Sequence, residues 1–252
     1  MIISEPNHSQ MPQLRQLWKT AFGDGDDFLD MFYSTAYAPH RCRCMLDGDR
    51  VTAALYWFDC TCEEQKLAYI YAVATDPAYR NQGLCRRLMA DTHAHLKAQD
   101  YAGAMLLPQD PGLRQMYGKM GYLPCTSIGE RIFQAAEEPA ALTELTADDY
   151  ARLRKTMLPA GSVIQEDENL LYLSNFSSFY RIGDTIATLF QDENRIICYE
   201  ILGDITKAPE IIRTFGASDG LFRYPGTEKA FAMYLPFAEN CPKPRYFAFA
   251  FD

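Results

Sequence analysis

The residues best suited to binding chemistry lie around Gly83, between an apolar run and an amphipathic pattern. Residues 69–75 predict a strand, and from Leu84 onward apolar side chains recur at helical spacing. The first turn of a helix leaves backbone N–H groups without partners and carries partial positive charge, so it can bind phosphate. Gly83 would let a phosphate approach the main chain, and either Arg86 or Arg87 could add a charge-assisted hydrogen bond. The pattern therefore predicts a phosphate-binding turn.

This turn resembles that of a known family. The motif Arg80-x-x-Gly83-x-Cys85, after a strand that ends near Thr75, resembles the pyrophosphate loop of GNAT-superfamily N-acyltransferases, Gln/Arg-x-x-Gly-x-Gly/Ala. Cys85 departs from the family pattern at the last position. The resemblance implies acetyl-CoA as a co-substrate. It assigns these residues to the CoA site: Val73, Ala74, Thr75, Arg80, Asn81, Gln82, Gly83, Leu84, Cys85, Arg86 and Asp110.

A second motif lies further along the chain. Residues 104–107 predict a strand, and Asp110 is suited to be the N-cap of a short helix. The helix ends in residues 117–122, Tyr-Gly-Lys-Met-Gly-Tyr, which resemble the Tyr-x-Lys-x-Gly-Phe signature of the family, with Gly121 as C-cap. The resemblance implies that Tyr117 is the catalytic acid that protonates the CoA thiolate. The alternative for Tyr117 is a packed aromatic ring at a helix end.

The resemblance also implies a mechanism. A primary amine would attack the thioester directly in a ternary complex, while backbone N–H groups between Val73 and Thr75 stabilise the carbonyl oxygen. Tyr117 would act as general acid. The general base stays open among an ordered water, Asp76, one of the tyrosines and the terminal carboxylate of Asp252. The predicted activity is that of an acetyl-CoA-dependent N-acyltransferase in EC class 2.3.1.

Two other functions compete with this interpretation. A non-catalytic CoA-binding or protein-interaction module could retain the fold, and the departures at Cys85 and Asp110 would suit it. An aminoacyl transferase that uses charged tRNA is disfavoured by the acidic composition and by the CoA-like loop. Tyr117 together with the intact Arg80-x-x-Gly83 spacing favours the enzyme.

The preceding residues predict the elements that must position this site. Ser9 and Pro12 suit a helix start, and a second helix follows. The apolar faces predicted for these two helices are Leu14, Leu17, Trp18 and Ala21, then Phe28, Phe32, Tyr33 and Ala36. Residues 41–46 and 51–58 flank Asp-Gly-Asp and predict a hairpin. An acidic run could meet a cationic amine or could simply complement a helix N-terminus. It consists of Asp24, Asp26, Asp27 and Asp30.

The second half predicts the same order of elements without the loop motif. We place a boundary after residue 136, with a GNAT acetyltransferase domain in residues 1–136 and a degenerate GNAT-like domain in residues 137–252. The fold class is α/β, with mixed α+β sheets. Predicted helices cover 147–157, 170–173 and 208–215. Predicted strands cover 179–182, 185–191, 195–202, 229–236 and 245–252.

Composition restricts the partners. A net charge of −9 opposes general nucleic-acid binding and favours a small-molecule amine or a peptide amine as acceptor. No apolar run approaches membrane-spanning length, so we expect no membrane partner and a cytoplasmic protein. The Cys-x-Cys pairs at Cys42 and Cys60 lack the spacing of zinc knuckles, which favours free thiols over a metal site. The sequence leaves open whether the protein forms a homodimer.

Overall fold

The protein is represented by a computed structural model that describes residues 1–251. The chain divides into two compact units. The first contains Met1–Leu123 and Tyr234–Pro242, and the second contains Pro124–Met233 and the described residues from Lys243 onward. This division falls before the boundary predicted after residue 136, because the strand Ser127–Gln134 already belongs to the second sheet.

The first unit is built on one mixed sheet. Its elements are β1 (Ile2–Ser4), α1 (Met11–Phe22), α2 (Asp26–Thr35), β2 (Cys42–Asp47), β3 (Arg50–Cys62), β4 (Gln65–Thr75), α3 (Leu84–Ala98), β5 (Gly103–Leu106), α4 (Pro111–Gly118) and β6 (Leu123–Pro124). The strand order is β1-β2-β3-β4-β5-β14-β6, where β14 is Met233–Pro236. The strand between β5 and β6 therefore comes from the far end of the chain.

The hairpin and helices of this unit agree with the sequence patterns. Asp47 pairs with Arg50 across the two-residue turn that contains Gly48 at φ +59°. Helix α1 buries Leu14, Leu17 and Trp18. Its start differs from the prediction, because Asn7 rather than Ser9 caps the preceding 3-10 turn with a capping box. A polar side chain at position 7 thus satisfies the first free N–H groups.

Two helices cover opposite faces of the sheet. The Trp18 ring of α1 lies 5.2 Å from the ring of Tyr56 on β3. The His95 ring of α3 lies 6.0 Å from Trp57, the next residue of the same strand. Since successive strand residues point to opposite faces, α1 and α3 pack on different sides of the sheet.

The second unit is built on a second mixed sheet. Its elements are β7 (Ser127–Gln134), β8 (Thr143–Leu145), α5 (Ala147–Met157), α6 (Glu168–Leu173), β9 (Ser178–Ile182), β10 (Thr185–Asp192), β11 (Arg195–Leu202), α7 (Ala208–Thr214), β12 (Asp219–Pro225) and β13 (Lys229–Ala230). The strand order is β13-β7-β12-β11-β10-β9-β8. Strands β11 and β12 run parallel and are connected in the chain through α7. Strands β4 and β5 of the first sheet are likewise parallel and are connected through α3.

Two predicted strands of this half were wrong. Residues 229–236 form two short strands that belong to different sheets. Residues 245–251 are almost entirely buried but have only an isolated bridge at Tyr246. The side-chain amide of Gln165 bonds both the N–H and the C=O of Phe249, so a side chain replaces the neighbouring strand. The remaining predicted residue, Asp252, lies outside the described residues.

An ion pair is buried in the second unit. Arg154 and Glu200 are 2% and 0% exposed, and Arg154 Nε donates to Glu200 Oε2 at 2.6 Å. Tyr150 donates its hydroxyl to the same carboxylate at 2.8 Å. The guanidinium also lies 4.5 Å from the ring centroid of Phe249. These contacts compensate two charges that burial would otherwise penalise.

Candidate active site

The candidate site lies where β4 and β5 separate. The two parallel strands pair only from Leu67 to Tyr69 against Gly103 to Met105. Strand β4 then continues to Thr75, whereas β5 ends at Leu106. The carboxyl ends of parallel strands are common ligand-binding edges in α/β folds. Both helices with predicted site residues, α3 and α4, begin just beyond this edge.

A β-bulge distorts β4 at the same place. Ala54 of β3 pairs with Ala74, but Tyr56 pairs with Tyr71, so β4 has one extra residue between them. Ala72 adopts φ +49°, an unusual conformation for a residue with a Cβ. Bulges of this kind often lie beside active sites, where they redirect the backbone. The sequence contained no signal for it, because alanine is not a residue that favours positive φ.

The bulge directs backbone N–H groups of β4 into the gap where β4 and β5 separate. Asp76 N–H donates to Thr52 O on β3 at 2.9 Å. Because N–H directions alternate along an extended strand, those of Thr75 and Val73 point away from β3, toward the side that β5 has left. Ala74 is 5% exposed, so only its main chain can contact a ligand. This geometry suits stabilisation of a carbonyl oxygen.

The turn before α3 has the geometry of an anion-binding site. Gly83 is the N-cap residue at φ +77°, and no side chain caps the helix. A Cβ at position 83 would meet nothing within 4 Å, so the space beside the main chain is open. Asn81 also has positive φ, at +62°. A pyrophosphate fits this turn, because the N–H groups of the first helical turn have no side-chain acceptor.

The other loop residues have distinct roles in the structure. Arg80 Nε donates to Thr75 O at 3.2 Å, which anchors the loop to the end of β4. Gln82 Nε2 donates to Ala78 O at 3.4 Å. Leu84 is 3% exposed and can offer only its backbone to a ligand. Arg86 is exposed on the first turn of α3.

Helix α4 holds Tyr117 next to this turn. Asp110 caps the helix by accepting from Leu113 N–H at 2.8 Å. The helix ends at Gly118 with Lys119 as cap residue, so the prediction of Gly121 as the cap residue was wrong by two positions. Gly121 nevertheless adopts φ +95°, and its N–H bonds to Gly118 O at 3.1 Å. Tyr122 N–H bonds to Tyr117 O at 3.2 Å, which completes a Schellman motif.

The side chains of α3 and α4 converge. Tyr117 is 7% exposed, and its ring lies 5.9 Å from Tyr122. Burial raises the pKa of Tyr117, and the Cys85 thiol is close enough to raise that pKa further. Cys85 on the first turn of α3 and Tyr117 on α4 are therefore neighbours. Burial likewise raises the pKa of Cys85, so its thiol stays protonated at neutral pH.

Asp76 is unsuited to be the general base. One carboxylate oxygen accepts from Ala78 N–H at 2.9 Å, and the other pairs with Arg50 at 2.8 Å. The hydrogen bond from Ala78 and the ion pair with Arg50 lower the pKa of Asp76. A carboxylate with a lowered pKa is a weak proton acceptor. The Asp252 carboxylate, another candidate, lies outside the described residues.

Two of the four residues of the acidic run pair with basic residues of α1. Asp26 pairs with Arg15 at 3.0 Å and Lys19 at 2.6 Å, and Asp30 pairs with Arg15 at 2.8 Å. Asp24 instead accepts a hydrogen bond from Trp18 Nε1 at 2.7 Å. Most of the run therefore complements α1.

The cysteines and acidic residues of the described chain do not assemble a metal centre. Within residues 1–251, no three His, Cys, Asp or Glu side chains lie together in a way that could hold a metal ion. All eight cysteines are thiols. In the same residues, no helix combines the length and hydrophobicity required to cross a bilayer.

Comparisons with known proteins agree with this geometry. A family model described as an acetyltransferase (GNAT) domain matches residues 3–125. A GCN5-related N-acetyltransferase from Kribbella flavida superimposes with a TM-score of 0.72 at 16% identity, covering 92% of this chain and 70% of that one. A GCN5-related N-acetyltransferase from Anabaena variabilis ATCC 29413 superimposes with a TM-score of 0.71 at 14% identity, covering 92% of this chain and 72% of that one. No curated protein matches by sequence.

A third structure addresses the two-unit architecture. A tandem GNAT protein from the clavulanic acid biosynthesis pathway superimposes with a TM-score of 0.58 at 10% identity, covering 95% of this chain and 100% of that one. The fold is thus mixed α/β, with two GNAT-like units. Residues 3–125 are thus similar to acetyltransferase (GNAT) domains, which transfer acyl groups from CoA thioesters.

Proposed function

We propose that the protein is an acetyl-CoA-dependent N-acetyltransferase that acetylates a primary amine by direct attack in a ternary complex. The observation that carries this proposal is the convergence of three features: the uncapped α3 turn at Gly83, the bulge at Ala72 and the nearly buried Tyr117. Each suits a different part of a CoA thioester, namely its phosphates, its carbonyl group and its sulfur.

Acetyl-CoA supplies an activated acyl group when it is bound. The amine nitrogen forms a bond to the acyl carbon and loses a proton to solvent water, while the carbon–sulfur bond breaks and the sulfur gains a proton. Tyr117 donates that proton, and its raised pKa keeps it protonated until then. The N–H groups of Val73 and Thr75 stabilise the carbonyl oxygen.

The proposal assigns CoA to the first unit only. At the corresponding turn of the second unit, the carboxylate of Asp204 accepts from Thr206 N–H at 2.9 Å and caps the turn before α7. A carboxylate already occupies the position where a phosphate would accept hydrogen bonds, and it would repel one. The first unit therefore carries the donor site.

Calorimetric titration tests the donor site. Acetyl-CoA and free CoA are titrated into wild-type protein, Gly83→Glu and Gly216→Glu. Gly216 is a matched control, because it also has positive φ, at +69°, and open space where a Cβ would lie. We expect micromolar binding to wild type and Gly216→Glu, and its loss in Gly83→Glu.

The outcomes separate the two leading functions. Absence of binding to folded wild type contradicts the acyltransferase. Binding without acetyl transfer to any amine of a broad panel supports the alternative, a CoA-binding or interaction module.

A further inference from the structure

One face of the second sheet carries a row of apolar side chains that is partly open to solvent. Residues that pair directly across neighbouring strands point to the same face of a sheet. Ile132 on β7 pairs with Leu221 on β12. Leu221 also pairs with Ile197 on β11, whose second partner is Phe190 on β10. Ile132 is 55% exposed, and the other three residues are half-buried. We call these four residues the apolar row.

The apolar row lies on the face of the sheet opposite α7. Ile196 and Phe222, which adjoin the row in sequence, belong to a buried core that also contains Ile211 of α7. Because successive strand residues point to opposite faces, Ile197 and Leu221 point away from that core. Adjoining apolar side chains on an open face indicate an interaction surface.

Ion pairs border the apolar row on both sides. Arg195 Nε donates to Asp219 Oδ1 at 2.5 Å on one side, and Arg223 Nε donates to Glu130 Oε2 at 3.0 Å on the other. Both pairs lie two residues from the row along their strands, so they share its face. Each pair is electrically neutral, whereas the chain carries a net charge of −9. A second copy of the chain can therefore approach the row with less repulsion than its total charge would cause.

The row and its border are complementary to themselves under a two-fold rotation. An axis parallel to the strands, midway between β11 and β12, places β11 of one copy over β12 of its partner. Leu221 then faces the partner's Ile197, and the outer residues of the row exchange in the same way. On the border, Arg195 faces the partner's Asp219, and symmetry repeats this contact. Apolar groups meet apolar groups and opposite charges meet, which is the match that a two-fold interface requires.

We propose that this face of the second sheet is a homodimer interface, in which two copies pack their apolar rows together around that axis. Small interfaces give weak and reversible association, so we expect a dissociation constant in the micromolar range. None of the residues assigned to CoA takes part, and the inference is therefore independent of the proposed function.

Sedimentation velocity at increasing protein concentration tests the interface. Wild type should convert from monomer to dimer as the concentration rises. Ile132→Asp places a charge in the apolar row and should raise the dissociation constant at least about tenfold. The matched control is Ile2→Asp, at a residue of β1 that is 70% exposed, and it should leave the dissociation constant unchanged.

Two charge reversals test the axis. Arg195→Asp makes the border contact acidic on both copies, and Asp219→Arg makes it basic on both copies. Each variant alone should therefore associate at least about tenfold more weakly than wild type. An equimolar mixture of the two should form heterodimers, because acidic groups of one copy then face basic groups of the other at both contacts. A general loss of folding would not produce association on mixing, and near-UV circular dichroism checks that each variant is folded.

Each contrary result has a distinct meaning. A wild type that stays monomeric at every concentration would overturn the inference and leave the row to a different partner. A dimer that survives Ile132→Asp would use another surface of the chain. Charge variants that dimerise alone, or that do not associate when mixed, would exclude the axis. CoA affinity should be the same in all these variants, so a failure of the dimer leaves the proposed function untouched.

Discussion

The hydroxyl of Tyr122 lies 2.8 Å from Nε2 of His93, and this contact ties α3 to the turn that follows α4. Tyr122 is 1% exposed, and its N–H also bonds to the carbonyl of Tyr117. One hydrogen-bonded pair therefore connects the helix of the phosphate-binding turn to the residue proposed as general acid. No local pattern links positions 93 and 122, because their contact depends on tertiary packing.

His93 makes the stability of the protein depend on pH. Burial, and secondarily Lys97, lowers the pKa of His93 from 6.5 to about 4. As pH falls from about 6.5 to about 4, the unfolded state takes up a proton that the native state does not, so the free energy of unfolding decreases. The loss is at most about 3 kcal/mol. Above pH 6.5 the residue contributes no pH dependence.

The measurement is urea unfolding between pH 7.5 and 4.5. His93→Gln keeps a hydrogen-bonding side chain beside Tyr122 but cannot be protonated, and it should flatten the acid limb of the curve. His8→Gln, at an exposed position, serves as control. A curve for His93→Gln that parallels wild type would show that other groups cause the acid sensitivity.

Replacement of Tyr117 by phenylalanine should affect chemistry rather than cofactor binding. The ring and its packing remain, but the proton donor is lost, so kcat should fall by about 100-fold or more. The affinity for CoA should stay within about twofold. Tyr122→Phe removes only the support to His93 and should lower kcat by a few-fold. Steady-state kinetics combined with CoA calorimetry distinguish these effects, and an unchanged kcat in Tyr117→Phe would exclude it as the acid.

Replacing one partner of the buried pair Arg154–Glu200 should lower the free energy of unfolding strongly. Replacing both partners should lower it by less than the sum of the two single changes. Glu200→Gln leaves a buried guanidinium without its counter-charge, so we expect a loss of about 3–5 kcal/mol in the free energy of unfolding. Replacing both residues together, as Arg154→Met with Glu200→Gln, should cost less than the sum of the single changes. Urea unfolding of the three variants gives the coupling energy. A single-variant loss below about 1 kcal/mol would contradict the importance of the pair.

Residues 1–136 should not fold as an isolated fragment. The fragment lacks β14, which lies between β5 and β6 in the first sheet, and its β7 belongs to the second sheet. Gly103 of β5 would also lose its close contact with Tyr234. We expect an aggregating or largely unfolded fragment by near-UV circular dichroism. Joining residues 231–242 to a fragment that ends at position 124, through a flexible linker, should restore cooperative unfolding.

Local signals made much of the fold predictable. The strand patterns on either side of Gly48 correctly predicted the first hairpin. The helix predicted over residues 147–157 is confirmed, and Thr146 caps it by accepting from Asp149 N–H. The motif around Gly83 correctly predicted a strand, a glycine at the helix start and a helix. In each case the residues that determine the structure are close together in the chain, so a pattern can reveal them.

Non-local features escaped prediction. Strand β12 contains Gly220 and ends in Pro225, residues that weaken a strand signal, and it exists because β7 and β11 pair with it on both sides. The bulge at Ala72 arises from the register between β3 and β4, not from its own side chain. Which residues of the acidic run form ion pairs depends on where Arg15 and Lys19 lie in space. Pairing and charge compensation of this kind require the tertiary structure.

The position of β14 also determines when the first sheet can be completed during translation. The strand that joins β5 begins at Met233, so residues 124–232 separate it from Leu123, and the first sheet cannot close when its own helices leave the ribosome. At roughly 5–20 residues per second, the delay is on the order of 5–20 s. During that interval the free edge of β5 is open to wrong partners or to a chaperone. The sheet that carries the site is thus among the last parts of the nascent chain to be completed.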